Sequence, residues 1–491
     1  MRRTLTAATA LALLAPLGLL APADAGPAGS WTTITGAAAE IGNIARPDSY
    51  RTPDGVLHVV YSVQDSSSSE SLRHLAIGDD GEVLSSDVVV SDWDSLAEDP
   101  EIIGSGSDLR IVFSGLRAVT TSGDPYNTGQ MYSATSNDGG RTWSLSTTYL
   151  TDSGSAYASY GTGAVELSDG RPMVAFPLNS RIRYNDQPIA SAATSPDDPF
   201  FDIDTCCAYD VELARVPGTD TVYLSWFANG TTPTSEGTFI RQIAPTVGPI
   251  QRAPRSTTPS DTDGDGTVEP GEENTSQLGN GRTLVATSSG VYLMYRVGYP
   301  DRGLGVWKLG TDAPEILPVD DALYGSLAAD SAGRVWAAWY TGDSKRQVFA
   351  ARSNPAGTRF GQKVAMGAPK LSGEPSVWNV LIDARAEGNQ ADVVVNTTRQ
   401  LMHQEVFAGL TLTSQPRTYA LGDSSKVTFT VTDAGVAVPG ATVKADGRSC
   451  TTNAQGRCTL TISASPKQRS LTAVATKSGF TRDALVLRGR K

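Results

Sequence analysis

Short apolar runs rich in Val, Tyr, Phe and Trp recur along the chain, each preceded by a turn carrying Asp or Gly. The clearest are RTPDGVLHVVYS (51–62), EIIGSGSDLRIVFSG (101–115), AVELSDGRPMVAFPL (164–178), ELARVPGTDTVYLSWFA (212–228), LVATSSGVYLMYRV (284–297) and LAADSAGRVWAAWY (327–340). LIDARAEGNQADVVVN (381–396) is a weaker seventh copy. Most are followed by a second short strand pattern, such as RHLAI (73–77), MYSATS (131–136) or QVFAARS (347–353). The runs end at Tyr61, Phe113, Phe176, Trp226, Tyr295 and Trp339, in steps of 52, 63, 50, 69 and 44 residues. Repeats of about 40–50 residues, each holding several short strands, are how a β-propeller reads in sequence. No helical period is sustained anywhere. The expected fold is all-β, a β-propeller over residues 26–410 with six blades, or alternatively seven. An array of β-sandwich hairpins is the competing architecture.

The pattern changes after residue 410. VTFTVTD, GATVKADG, CTLTISA and SLTAVATKSGF alternate polar and apolar positions between turns, which predicts a small β-sandwich over 411–491. This segment resembles bacterial immunoglobulin-like (Ig-like) domains, which serve as spacers or adhesive modules. The long 69-residue step contains a Pro-, Ser-, Thr- and acid-rich insertion at 252–280.

Charge divides along the same line. The 491 residues carry a net charge of −12. Residues 411–491 hold 12 Lys+Arg against 4 Asp, whereas 26–410 hold 26 against 47. So acidic a body disfavours nucleic acid and anionic lipid as partners. The basic C-terminal segment either contacts an anionic surface such as a cell wall or presents a solvated basic face. At the N-terminus, Arg2 and Arg3, an apolar run (7–20) and Ala23-Asp24-Ala25 read as a signal peptide over 1–25. The paired arginines leave the Sec and twin-arginine routes both open. No later segment is long and apolar enough to span a bilayer as a helix. The expected product is secreted and extracellular.

Export favours disulfides for the four cysteines. Cys450 and Cys458 flank TTNAQGR, a hairpin pattern, and are expected to bridge. Cys206 and Cys207 are adjacent; they either bond to each other or stay reduced. Within the insertion, DTDGDGTVEPGE (261–272) has EF-hand loop spacing. Asp261, Asp263 and Asp265 offer oxygens at positions 1, 3 and 5, and Gly266 permits the bend. Thr267 offers a carbonyl, Glu269 a carboxylate and Glu272 two oxygens. Calcium is the expected cofactor. The flanks lack helical patterning, so the loop is read as an isolated structural site.

SNDGGRTW (136–143) fits S-x-D-x-G-x-x-W, the Asp-box (BNR repeat) of sialidases and related propellers. SNPAGTRF (353–360) and IGDDGEVL (77–84) are degenerate copies. Over roughly 40–410 the chain resembles that family. The resemblance implies arginines gripping a substrate carboxylate, a Tyr nucleophile and an Asp acid/base. It places the first arginine at Arg46, the third at Arg302, the nucleophile at Tyr324 and the acid/base at Asp65, with Glu70 as its rival. The pattern breaks at the fourth repeat. Phe227 stands near the place of the second arginine, and Cys207 or Ala208 near the Glu that activates the tyrosine. Asp210 and Glu212 lie close but out of register.

Other chemistry finds little support. The three His (58, 74, 403) form no HExxH pair, no zinc cysteine set or Walker loop is present, and YGTGA (160–164) is too short for a nucleotide fold. Two functions follow. One is a sialidase-like exo-glycosidase acting on extracellular glycans or glycoproteins. The other is a non-catalytic propeller that binds glycan or protein, with the Ig-like domain as spacer or adhesive module.

Overall fold

The computed structural model describes residues 29–35, 46–78, 81–96, 99–117, 131–151, 161–178, 181–186, 199–203, 208–229, 236–259, 273–275, 282–297, 303–317, 322–342, 346–369, 377, 379–386 and 388–491. Every regular element among them is a strand. No helix there is long and apolar enough to cross a membrane. The proposed signal peptide, the calcium loop, Cys206, Cys207 and Arg302 lie outside the described residues.

Seven antiparallel sheets of four main strands follow one another along the chain. Their first strands are Asp48–Arg51, Glu101–Ser105, Gly163–Glu166, Ala208–Arg215, Leu284–Thr287, Ala322–Ala329 and Asn379–Ala384. Each first strand touches the next, and the seventh touches the first. The ring therefore closes, in a propeller-like arrangement. The second strands explain the continuous apolar runs. Val335–Thr341 is buried at every position because neighbouring sheets cover both of its faces. Trp336, Trp339 and Tyr340 go to the cores on either side of that sheet.

The sequence favoured six units, and the structure has seven such sheets. The difference lies in the last one. Its second strand, Gln390–Asn396, lacks the aromatic end of the other copies. Its outer strand comes from the far end of the chain: Thr32–Thr33 pairs antiparallel with Leu401–Phe407, Thr32 opposite His403.

The SNDGGRTW stretch (136–143) forms the turn after Met131–Ser136 in the second sheet. Asp138 Oδ1 accepts from the Arg141 and Thr142 amides, both at 3.0 Å, and Ser136 Oγ accepts from the Gly140 amide at 2.8 Å. Trp143 Nε1 donates to the Gly140 carbonyl at 2.9 Å, which ties the ring to the turn. In the insertion, Thr257–Pro259 pairs with Glu273–Thr275, so a two-stranded ribbon flanks the calcium-like loop.

Residues 411–490 form two further sheets around one core that includes Phe429, Tyr419, Val443, Ile462 and Leu487. Cys450 and Cys458 are bonded, with Cα atoms 5.9 Å apart. The bridge joins the two sheets, since Cys450 lies on Arg448–Thr451 and Cys458 on Arg457–Ile462. This segment is fastened to the ring. Asp433 is buried between Arg334 (2.6 Å) and Arg352. Asn389 Nδ2 donates to the Gly479 carbonyl at 2.6 Å, and Phe480 packs against both cores.

Candidate functional site at the ring axis

The first strands enclose an axial channel of about 500 Å³. Around one part of it stand Asp48, Glu101, Glu212, Arg282 and Asp383, from the leads or first strands of five sheets. Arg46 and Asp99 adjoin them across a small cavity, and Asp210 binds Arg46. Arg282 is central. Its Nη2 donates to Asp48 Oδ1 at 2.9 Å and to the Ser49 carbonyl, and its Nη1 lies 3.4 Å from Asp383 Oδ1. Ser49 Oγ donates to Asp383, and the Ile102 amide donates to Asp48 Oδ2 at 2.9 Å. The Arg46 amide donates to Asp99 Oδ1 at 3.1 Å, and its guanidinium donates to Asp210.

A β-bulge brings two of these acids together. Opposite Ser225–Phe227, the strand register shifts between Tyr209 and Glu212, and Asp210 takes a φ of 52°. Such a bulge re-aims side chains. Here Asp210 meets Arg46 while Glu212 lines the channel. Gly161 and Gly163 make room for it. A Cβ on Gly163 would sit 2.7 Å from the Leu213 amide nitrogen and 2.9 Å from the Glu212 carbonyl carbon. At Gly161 and Gly163 the backbones approach closely, which only glycine permits.

Six carboxyl groups face two arginines, in a setting largely withdrawn from water. Burial, reinforced by Asp48 and by the neighbouring Glu212, pushes the Glu101 carboxyl well above the usual range. Burial does the same to Glu212, with Arg46 opposing and Asp48 adding to the rise. Asp99 is raised by burial against the pull of Arg46. For Arg282, burial works against the charge, and Asp48 and Asp383 outweigh it, so the guanidinium is held firmly protonated. Each acid that ionises here favours the protonated form of the acids beside it.

Of the sequence-predicted residues that are described, only Arg46 belongs to this cluster, and it is paired with Asp99 and Asp210. Asp65 lies exposed at the end of the second strand of the first sheet, paired with Arg73 at 2.8 Å. Its rival Glu70 accepts from the Leu96 amide at 2.5 Å. Tyr324 is half-buried, with its ring 5.9 Å from that of Tyr340 and packed on the core between the sixth and seventh sheets. Phe227, in the expected place of the second arginine, is buried beside Tyr209. Sequence reasoning passed over Asp48, Asp99, Glu101, Arg282 and Asp383, and set Asp210 and Glu212 aside as out of register. The available signal was a charged residue in or just before the first strand of a repeat: RPD, DPE, YDVE, GRT and LIDAR.

Among the described residues, no group of three or more His, Cys, Asp and Glu is arranged to hold a metal ion. No family model and no curated protein matches the sequence. Solved structures show distant similarity. One is a protein of unknown function from Dyadobacter fermentans (10% identity, 77% of this chain and 98% of that one, TM-score 0.40). Another is the Aleuria aurantia lectin bound to Fucα1-6GlcNAc (10%, 75% and 94%, 0.39). A third is the α-L-arabinofuranosidase of Fusarium graminearum with arabinobiose (8%, 77% and 98%, 0.36). Likeness at this distance has no bearing on function; the ring rests on its own strand pairing.

Proposed function

We propose that the chain is an exported seven-bladed propeller with an Ig-like C-terminal domain, whose axial cluster binds and hydrolyses a glycoside without a carboxylate of its own. The supporting observation is the placement of Glu101 and Glu212, both holding protons to unusually high pH, on one channel with Asp48, Asp383 and Arg282. Glu212, once ionised, favours the protonated form of Glu101. That is the division of labour that glycoside hydrolysis requires, one group protonating the leaving oxygen and the other activating water or attacking. The electrostatics argue against sialic acid. Arg46 is already occupied by two carboxylates, and the surplus of acids would repel an anionic sugar. The reading retains calcium on the 261–272 loop, supported by ligand spacing and by the flanking ribbon.

The test is turnover of aryl glycosides (arabinofuranoside, fucoside, galactoside and sialoside) by the full chain, by Glu101→Gln and by Glu212→Gln. Neutral glycosides should be cleaved, and each variant should lose on the order of 10²–10⁴-fold in rate. Cleavage that survives both substitutions would sink the assignment. Sialoside cleavage abolished by Tyr324→Phe would restore the sialidase reading.

A second reading, a non-catalytic glycan binder, draws on the pairing of Arg46 with Asp99 and Asp210. The cavity between them holds only about 10 Å³, room for about one water. Absence of turnover across the panel, with glycan binding intact, would favour it.

A further inference from the structure

The C-terminal sheets carry twelve Lys and Arg residues, and none forms an ion pair with a carboxylate among the described residues. The four acids of the segment are committed elsewhere. Asp423 accepts from the Ser424 amide at 2.7 Å, and Asp446 from the Ser463 amide at 3.1 Å. Asp483 accepts from the Leu412 and Ala484 amides, both at 2.7 Å. Asp433 is buried against Arg334 and Arg352 of the ring. The cations of the segment are therefore not tied up in ion pairs with its own acids.

Some of these cations are gathered at one end of the five-stranded sheet. Thr418–Ala420 runs parallel to the last strand, placing Thr418 opposite Arg488 and Ala420 opposite Arg490. Ser470 lies opposite Arg488 on the other side. The Arg488 amide donates to the Arg417 carbonyl at 3.2 Å, and the Gly489 amide to the Arg469 carbonyl at 2.9 Å. The backbones of Arg417 and Arg469 thus flank the last strand at Arg488 and Gly489, and Arg417, Arg469, Arg488 and Arg490 are all exposed, with exposed Lys467 two residues from Arg469. Arg488 and Arg490 point to the same face about 7 Å apart. Exposed Ser470 lies opposite Arg488, and exposed Thr472 lies one pair further on, opposite the exposed Val486.

We propose that this arginine end binds an anionic polysaccharide bearing phosphate or carboxylate on successive sugars. Guanidinium forks take either anion bidentately, and the flanking hydroxyls suit sugar hydroxyls. The acidic ring repels polyanions, so binding is confined to this end. The proposal is independent of the axial cluster.

The test is affinity electrophoresis of the full chain through gels containing phosphomannan, polygalacturonate, neutral dextran or duplex DNA, at about 50 and about 300 mM NaCl. Phosphomannan or polygalacturonate should retard the protein relative to dextran, and the stronger arm identifies the anion. Retardation should fall several-fold at the higher salt and vanish in R469S/R488S/R490S. Those residues are exposed, and an unchanged thermal midpoint will show that the variant folds. No retardation by either polysaccharide at low salt, retardation that survives the triple substitution, or equal retardation by DNA would each overturn the proposal.

Discussion

A Cβ on Gly140 would overlap His74 Cε1. The SNDGGRTW turn of the second sheet is therefore pressed onto a buried imidazole of the first. Gly140 also has a φ of +84°, whereas its neighbour Gly139, at +72°, would meet nothing within 4 Å if it gained a methyl group. Gly139→Ala should cost only the left-handed strain, about 1–2 kcal/mol. Gly140→Ala should cost a further ~1–3 kcal/mol from the clash. Urea unfolding of the two variants checks this, and equal losses would refute the contact.

His74 in turn stands 2.9 Å from His58 Nδ1 through its Nε2, and its ring meets Trp143 edge-on. Burial lowers His58 from 6.5 to about 4, and His74 to about 3 with His58 adding to the effect. Asp87 faces His74 at 3.9 Å, and Asp54 acts on His58. Because the folded values lie below the unfolded value, the unfolded chain takes up protons first as pH falls. Stability contributed by the neutral pair should be complete above about pH 6.5 and decline through pH 4 to 3. The urea midpoint measured from pH 7 to 4 should show this decline, and His58→Gln/His74→Gln should flatten it.

Gly163 touches no substrate group, yet it supports the bulge that carries Glu212. Gly163→Ala drives a methyl into the Glu212–Leu213 backbone. On the hydrolase reading, kcat should fall at least about tenfold, since displacement of about 1 Å already weakens catalysis. An unchanged far-ultraviolet spectrum would separate this effect from unfolding, and full activity would contradict the role of the bulge.

Asp433→Ala removes the carboxylate shared by Arg334 and Arg352. Leaving a buried charge unpaired costs about 3–5 kcal/mol. Calorimetry should show one transition splitting into two as the C-terminal sheets uncouple from the ring. A single transition at the original midpoint would count against the docking contact.

Calcium should protect the insertion from protease, with cleavage between 261 and 272 appearing on chelation. Identical digestion patterns with calcium and with chelator would rule out the ion there.

The ring was legible because a central strand covered on both faces must be apolar throughout, as VWAAWYT is. The seventh sheet was faint because Thr32 meets its partner His403 across 371 residues. The axial cluster was harder still. Its members run from Arg46 to Asp383, one or two from each of five sheets, and no local motif unites them. Arg46 surfaced only through a family resemblance. Glu212 looked misplaced because a strand read with strict alternation leaves no room for the extra residue at Asp210.

The lacing of Thr32–Thr33 to the last sheet also sets an order of events. The first strand to emerge from synthesis must wait, unpaired on that side, until nearly four hundred later residues have arrived. Contacts of such long range form slowly. Until those residues arrive, the last sheet lacks its outer strand, and the pairing that ties the two ends of the ring together cannot form.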